Sequence, residues 1–162
     1  MDKLISILKK HEGCRLKAYK CPAGVLSIGF GNTFYEDGRK VKEGDTITME
    51  QAERLLLKVI EGFRKQLIPL LTVELPDDAL NALLSFTYNV GIGNVKKSTL
   101  LKKINRNPLD LKGIEEEFNK WTKGGGKVLP GLVKRRKEEY ALYEEAVLGQ
   151  YTKKELLYME PV

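Results

Sequence analysis

Histidine is almost absent from this chain: among 162 residues only His11 carries an imidazole. That excludes a histidine-rich zinc site, and a Ser-His-Asp triad would have to use His11 with no nucleophile-elbow sequence anywhere. Cysteine is scarce too. Cys14 and Cys21 fit a reducing cytosol at least as well as a disulfide scaffold, and with His11 and a carboxylate they match no zinc-site spacing. Gly29-Phe30-Gly31 lacks the Gly-Lys-Ser/Thr that a phosphate loop requires. No apolar run nears the roughly 20 residues of a membrane helix. The start, Met1-Asp2-Lys3-Leu4-Ile5-Ser6, has no signal-peptide centre. The expectation is therefore a protein made in the cytoplasm without a signal peptide, with no metal, no cofactor and no stable membrane insertion.

What is present is a foldable and very soluble composition, 42% apolar and 31% charged, with a formal charge of +6. The surplus of Lys and Arg favours anionic partners such as nucleic acid, anionic lipid or bacterial wall polymers. Its members are dispersed (Lys9-Lys10, Lys96-Lys97, Lys102-Lys103, Lys134 to Lys137) and read as solvated helix faces, with steering as their collective role.

The chain opens with a short helix over residues 3–12, Leu4, Ile5, Ile7 and Leu8 on one side and Gly13 as its stop. From Arg15 to Ile47 short β-prone pieces follow, 16–19, 25–28 and 33–35, with Asp37-Gly38 as a tight hairpin signal. This is the only strand territory the sequence suggests. Thr48-Met49-Glu50-Gln51 is a capping box opening a long helix toward Pro69. Pro76 starts a second, ending near Gly91. Ser98-Thr99 caps a third, Ile114 to Trp121 forms a fourth, Gly124-Gly125-Gly126 is a mobile break, and Pro130 opens a fifth through Val147. The fold class is α+β. One domain is expected: a β lobe over about 13–47, a connecting helix over about 48–71, a helical lobe from 1–12 and 76–147, and a C-terminal tail over 148–162. A cleft between the lobes is the natural place for a substrate.

Glu12 falls at the C-terminal end of the first helix, where the backbone dipole disfavours a carboxylate. If the lobe junction also excludes water, both effects are expected to keep a proton on the carboxyl, as a general acid needs. The residues around it are informative. His11 through Thr33, containing Glu12, Cys21 and Ser27, closely resembles the catalytic segment of phage-type lysozymes, the endolysin family of muramidases. The resemblance continues in Ser85-Phe86-Thr87-Tyr88-Asn89-Val90-Gly91-Ile92-Gly93, in Ser98-Thr99-Leu100-Leu101, and from Trp121 through Pro130 to Arg136.

The resemblance implies a lysozyme-like fold, a small antiparallel β lobe joined by a long helix to a mainly α-helical lobe. It implies hydrolysis of the β-1,4 bond between N-acetylmuramic acid and N-acetylglucosamine in bacterial peptidoglycan, by a monomer without cofactor that reaches the wall through a membrane pore. Glu12 becomes the acid. Position 21, Asp or Cys in the family, and the hydroxyl at position 27 complete the catalytic set. Gly31, Thr33, Tyr88, Asn89 and Thr99 fall where relatives line the saccharide cleft. Arg135 or Arg136 pairs with Glu12 or steers the anionic wall, though a helix-surface arginine is the simpler expectation. Trp121 reads as core.

Cys21 departs from the aspartate version. A thiol of pKa about 8.5, against about 3.9 for Asp, is only slightly ionised at neutral pH, so Lys20 or Arg135 is expected to lower it. Whether Cys21 acts as base or nucleophile stays open, as does the choice between inversion and retention. Ser27 keeps a hydroxyl but lacks the methyl that restricts a threonine's rotamers. A disulfide between Cys14 and Cys21 would silence the enzyme, a redox-switch expectation. Two other classes are weighed: a wall-binding module that has lost catalysis through the changes at 21 and 27, and a nucleic-acid binder supported by charge alone.

Overall fold

The computed structural model describes residues 2–159. The first helix, α1, spans Asp2–Glu12 and buries Leu4 and Leu8 completely, with Ile5 and Ile7 packed at the core margin. Gly13 ends it with φ +67°, a left-handed conformation open to glycine, and its N–H donates to the Lys9 carbonyl at 3.3 Å.

Two strands follow, β1 at Arg15–Lys20 and β2 at Leu26–Gly29, paired antiparallel. The register sets Tyr19 opposite Ser27 and Lys20 opposite Leu26, so Tyr19 and Ser27 share one face of the ribbon. The third expected strand does not form a ladder. Residues 33–35 make a single bridge, Phe34 to Lys40, around the Asp37-Gly38 turn, where Gly38 N–H donates to the Tyr35 carbonyl at 3.0 Å.

Helix α2, Met49–Leu67, begins with both halves of the capping box: Gln51 N–H donates to Thr48 Oγ1 at 3.1 Å, and Thr48 N–H to Gln51 Oε1 at 2.8 Å. It tightens into a 3-10 turn at Ile68–Leu70, where Pro69 has no N–H for another helical turn. Helix α3, Asp77–Val90, is buried at every position from Ala79 to Thr87. Such a helix is central, enclosed on all sides, not amphipathic. It packs on α1, on α2 and most extensively on the last helix.

Helix α4, Ile92–Lys97, is a short element the sequence did not announce, because Gly91 precedes it and Gly93 sits within its first turn. Helix α5, Thr99–Arg106, is capped by Ser98, whose Oγ accepts the Leu101 N–H at 3.1 Å. Helix α6, Leu111–Asn119, starts three residues before the expected Ile114 because Asp110 caps it, and it stops short of Trp121.

The Gly124 to Gly126 run is no mobile break. It is the turn of a second antiparallel hairpin, β3 at Lys123–Gly124 with β4 at Lys127–Val128, where Gly125 (φ +59°) and Gly126 (φ +81°) supply the two left-handed residues that a tight turn demands. Strand structure is therefore not confined to residues 15–47. Helix α7 then runs Pro130–Met159 without interruption, through most of the segment expected as a tail; residues 160–162 of that segment lie outside the described residues. Phe86 stacks edge-on to Phe118 and to Trp121, each at 5.6 Å between ring centroids, so Trp121, partly buried, packs against the core.

Candidate active site

Two contacts seat the end of α1 on α7: Lys10 Nζ forms an ion pair with Glu138 Oε1 at 2.6 Å, and His11 Nε2 hydrogen-bonds Glu138 Oε2 at 2.7 Å. They deliver the next residue, Glu12, to Arg135. Arg135 Nη1 donates to Glu12 Oε1 at 2.6 Å, and Glu12 keeps 22% side-chain exposure while Arg135 keeps 3%. Arg135 Nη2 donates to the Ser85 carbonyl at 3.0 Å and Nε to Glu139 Oε2 at 3.2 Å. Glu139 also accepts the Ser85 hydroxyl at 2.6 Å and Arg136 Nη2 at 3.2 Å. Arg136 Nε lies 2.7 Å from Glu139 Oε1, an ion pair angled too far off line to be a hydrogen bond, and its guanidinium lies 5.0 Å from the Phe86 ring centroid.

The surface-arginine expectation is thus overturned for both Arg135 and Arg136: α7 turns them inward against the all-buried α3, and neither can act as an exposed steering charge. Formally the cluster is neutral, two arginines against Glu12 and Glu139. Buried charges survive when paired and hydrogen-bonded in this way. Ser85 and Glu139 had no assigned role. The available signal was Glu139 at three and four residues beyond the two arginines, the helical ion-pair spacing.

Cys21 ends β1, held by its N–H on the Val25 carbonyl at 2.9 Å while its own carbonyl accepts Gly24 N–H at 2.8 Å. The Val25 backbone first, then the Ala23 backbone and the Ser27 hydroxyl hydrogen-bond the sulfur, and they lower its pKa from the ordinary thiol value. The expected cations, Lys20 and Arg135, are not what lowers it. Ser27 is 3% exposed and comes from the facing strand, so the structure brings Cys21 and Ser27 together.

Cys14 stands apart. It precedes β1 whereas Cys21 follows it, and a six-residue strand at roughly 3.3 Å per residue holds the pair far beyond the ~7 Å Cα limit of a disulfide. Both cysteines are free, and Cys14 Sγ instead approaches Met49 Sδ at 3.9 Å. The Cys14–Cys21 switch is incompatible with an intact β1.

Between the lobes, a cavity of about 290 Å³ is lined by Gly31, Thr33 and Tyr88 together with Asn32, Phe34, Val59 and Phe63. Tyr88 spans it, donating its hydroxyl to the Phe30 carbonyl at 2.6 Å and meeting Phe63 edge-on at 6.2 Å. Burial, then the Glu12 charge, pushes the Tyr88 phenol up, so it remains a neutral donor. Asn89 and Thr99 are exposed and do not line this cavity. A larger cleft of about 440 Å³ lies between Tyr35, Asp45 and Arg54 and includes none of the expected site residues. Among the described residues, no group of three or more His, Cys, Asp or Glu is placed to hold a metal ion, and no helix is long and apolar enough to cross a membrane.

A small β lobe thus faces a helical lobe across a cleft, with an arginine-held glutamate at the end of a helix. The family model described as phage lysozyme matches residues 9–139. The endolysin of Acyrthosiphon pisum secondary endosymbiont phage 1 is 40% identical over 149 residues, covering 90% of this chain and 97% of its own. The SAR-endolysin of Bacteriophage PS119 is 41% identical over 128 residues, 79% of this chain and 73% of its own. Among solved structures, the endolysin from Escherichia coli O157:H7 phage FAHEc1 superposes with a TM-score of 0.79 at 34% identity, covering 88% of this chain and 91% of its own. The chain belongs to the phage lysozyme family. It is a lysozyme-type glycosidase, a muramidase that lyses peptidoglycan.

Proposed function

We propose that Glu12 is the general acid, protonating the bridging oxygen between N-acetylmuramic acid and N-acetylglucosamine, with Cys21 and Ser27 on the opposite side of the reaction. What carries this reading is the Glu12 carboxyl itself: mostly buried, fixed by a hydrogen bond to one oxygen, and presented at the C-terminal end of α1. Proton transfer to the leaving oxygen breaks the glycosidic bond. The Cys21 thiolate then has two routes. As a base it takes a proton from water attacking the far face of the sugar, which inverts the anomeric carbon; as a nucleophile it forms a thioglycoside that water later opens, with retention. Ser27, beside the sulfur, stabilises the thiolate in either case.

Gly31, Thr33 and Tyr88 line the cleft that receives the glycan, whereas Asn89 and Thr99 are exposed outside it. The protein works as a single-domain monomer, reaches the wall through a pore in the membrane, and binds neither nucleic acid nor the bilayer stably. A wall-binding module without catalysis is not favoured by the kinship with endolysins over nearly the whole chain. Clearing of a cell-wall suspension tests the reading: wild type and Cys21→Asp lyse, whereas Glu12→Gln does not and Cys21→Ala loses most activity. Normal digestion by Glu12→Gln overturns it. Anomeric assignment of the products separates the two routes.

A further inference from the structure

Behind Arg135, on the same helix, lies Glu139 with no exposed surface. A carboxylate buried so deeply is costly, and apolar side chains would fill the same space at less expense. Its contacts show what it does to Arg135. A guanidinium is a planar fork of five donors whose best match to a carboxylate is two parallel hydrogen bonds, one on each oxygen. Here the three nitrogens go three ways. Nη1 donates to Glu12 Oε1 at 2.6 Å, Nη2 to the Ser85 carbonyl at 3.0 Å, and Nε to Glu139 Oε2 at 3.2 Å. That Glu139 oxygen is itself fixed by the Ser85 hydroxyl at 2.6 Å and by Arg136 Nη2 at 3.2 Å. With Nε and Nη2 committed, only Nη1 reaches Glu12.

We propose that Glu139 is a positioning residue for the general acid: it turns Arg135 into a one-point contact and takes up part of its charge, so that Glu12 is oriented without being locked as a carboxylate. The inference rests on Glu12 being the acid. It explains how an arginine can touch a group that must hold a proton. Without Glu139, Arg135 is free to rotate into the two-point pair with Glu12, which favours the ionised form.

The other charged and titratable groups around Glu12 leave this logic intact. On α7, Arg136 is engaged by Glu139. From α3 comes Tyr88, pushed up by burial and by the Glu12 charge itself, and Tyr19 of β1 adds to that same upward push. On α1, His11 faces Glu138, along with Lys10.

The test is the pH dependence of kcat on purified peptidoglycan. Glu139→Gln keeps the shape and removes the carboxylate; the limb set by Glu12 moves to lower pH by about one unit, with KM unchanged. Ser85→Ala withdraws the hydroxyl from Glu139 without altering formal charge and moves the limb the same way by less. Glu139→Asp, which keeps the carboxylate, returns the limb toward wild type. A merely structural Glu139 gives lower activity at every pH with the limb in place, and that result in folded Glu139→Gln or Ser85→Ala overturns the inference. If Glu139→Gln does not fold, Ser85→Ala and Glu139→Asp decide. Glu12→Gln runs alongside: normal activity there sinks the general-acid reading, whereas an inactive Glu12→Gln with an unmoved limb in the other variants sinks the Glu139 role alone.

Discussion

The Tyr88 hydroxyl donates to the Phe30 carbonyl at 2.6 Å, tying the central helix of the helical lobe directly to the β lobe. Tyr88 also lines the cleft, so one side chain joins the lobes and shapes the space between them. Replacing it with Phe removes the donor, leaves the Phe30 carbonyl without its partner, and keeps the ring against Phe63. The expected cost is about 1 kcal/mol in denaturant unfolding. KM on peptidoglycan rises while the pH profile keeps its shape. An unchanged midpoint and KM would show that the bond carries neither task.

In the proposed reaction Cys21 works as a thiolate, so its ionisation sets one limb of the pH profile. Its pKa lies below the ordinary thiol value because the Val25 and Ala23 backbone and the Ser27 hydroxyl bond to the sulfur. Removing a group that favours the thiolate moves ionisation upward, so Ser27→Ala shifts the limb set by Cys21 to higher pH. Cys21→Asp shifts it to lower pH, since an ordinary aspartate ionises about four and a half units below a thiol. The pair of opposite shifts, read from initial rates of wall clearing, is the expected result.

Oxidation leaves the enzyme without an internal disulfide. β1 separates Cys14 from Cys21, so mild oxidant followed by mass analysis returns both thiols in the monomer. Cys14→Ser behaves as wild type with and without reductant. A two-proton mass loss with silenced activity, absent in Cys14→Ser, contradicts the placement of β1.

Glu138 couples folding to pH. Its partial burial works to raise it, but the Lys10 and His11 hydrogen bonds prevail and hold it below the ordinary glutamate value. A carboxyl lowered by folding contributes stability at pH above its unfolded value of about 4.3, and that stability is lost as pH falls through the lower folded value. Glu138→Gln therefore destabilises by about 1 kcal/mol at pH 7 and less at pH 3, measured by chemical denaturation at both.

Local signals in the sequence were legible where one short segment decides the outcome. Thr48 and Gln51 cap α2 on each other, Ser98 caps α5, and Gly13 stops α1. Elements that depend on distant partners were not. The Gly125-Gly126 turn makes a hairpin only because the residues on either side pair, and a glycine run by itself reads as a break. Asp110 was overlooked as a cap since Gly113 weakens the helical pattern it opens. The candidate residues Glu12, Cys21 and Ser27 come from the motif that holds them. The inward turn of Arg135 was hidden because its partner is 123 residues away, and only the packing of α7 on α3 shows that this face of the helix is covered.

The enclosure of α3 from Ala79 to Thr87 has a kinetic meaning. Its amides are reached by solvent only when neighbouring helices separate, so their hydrogen exchange reports the rarest opening of the molecule. Such an opening also pulls the Ser85 carbonyl away from Arg135 and dissolves the support of Glu12. Inactivation by heat and deuterium uptake along α3 should therefore share one rate-limiting event.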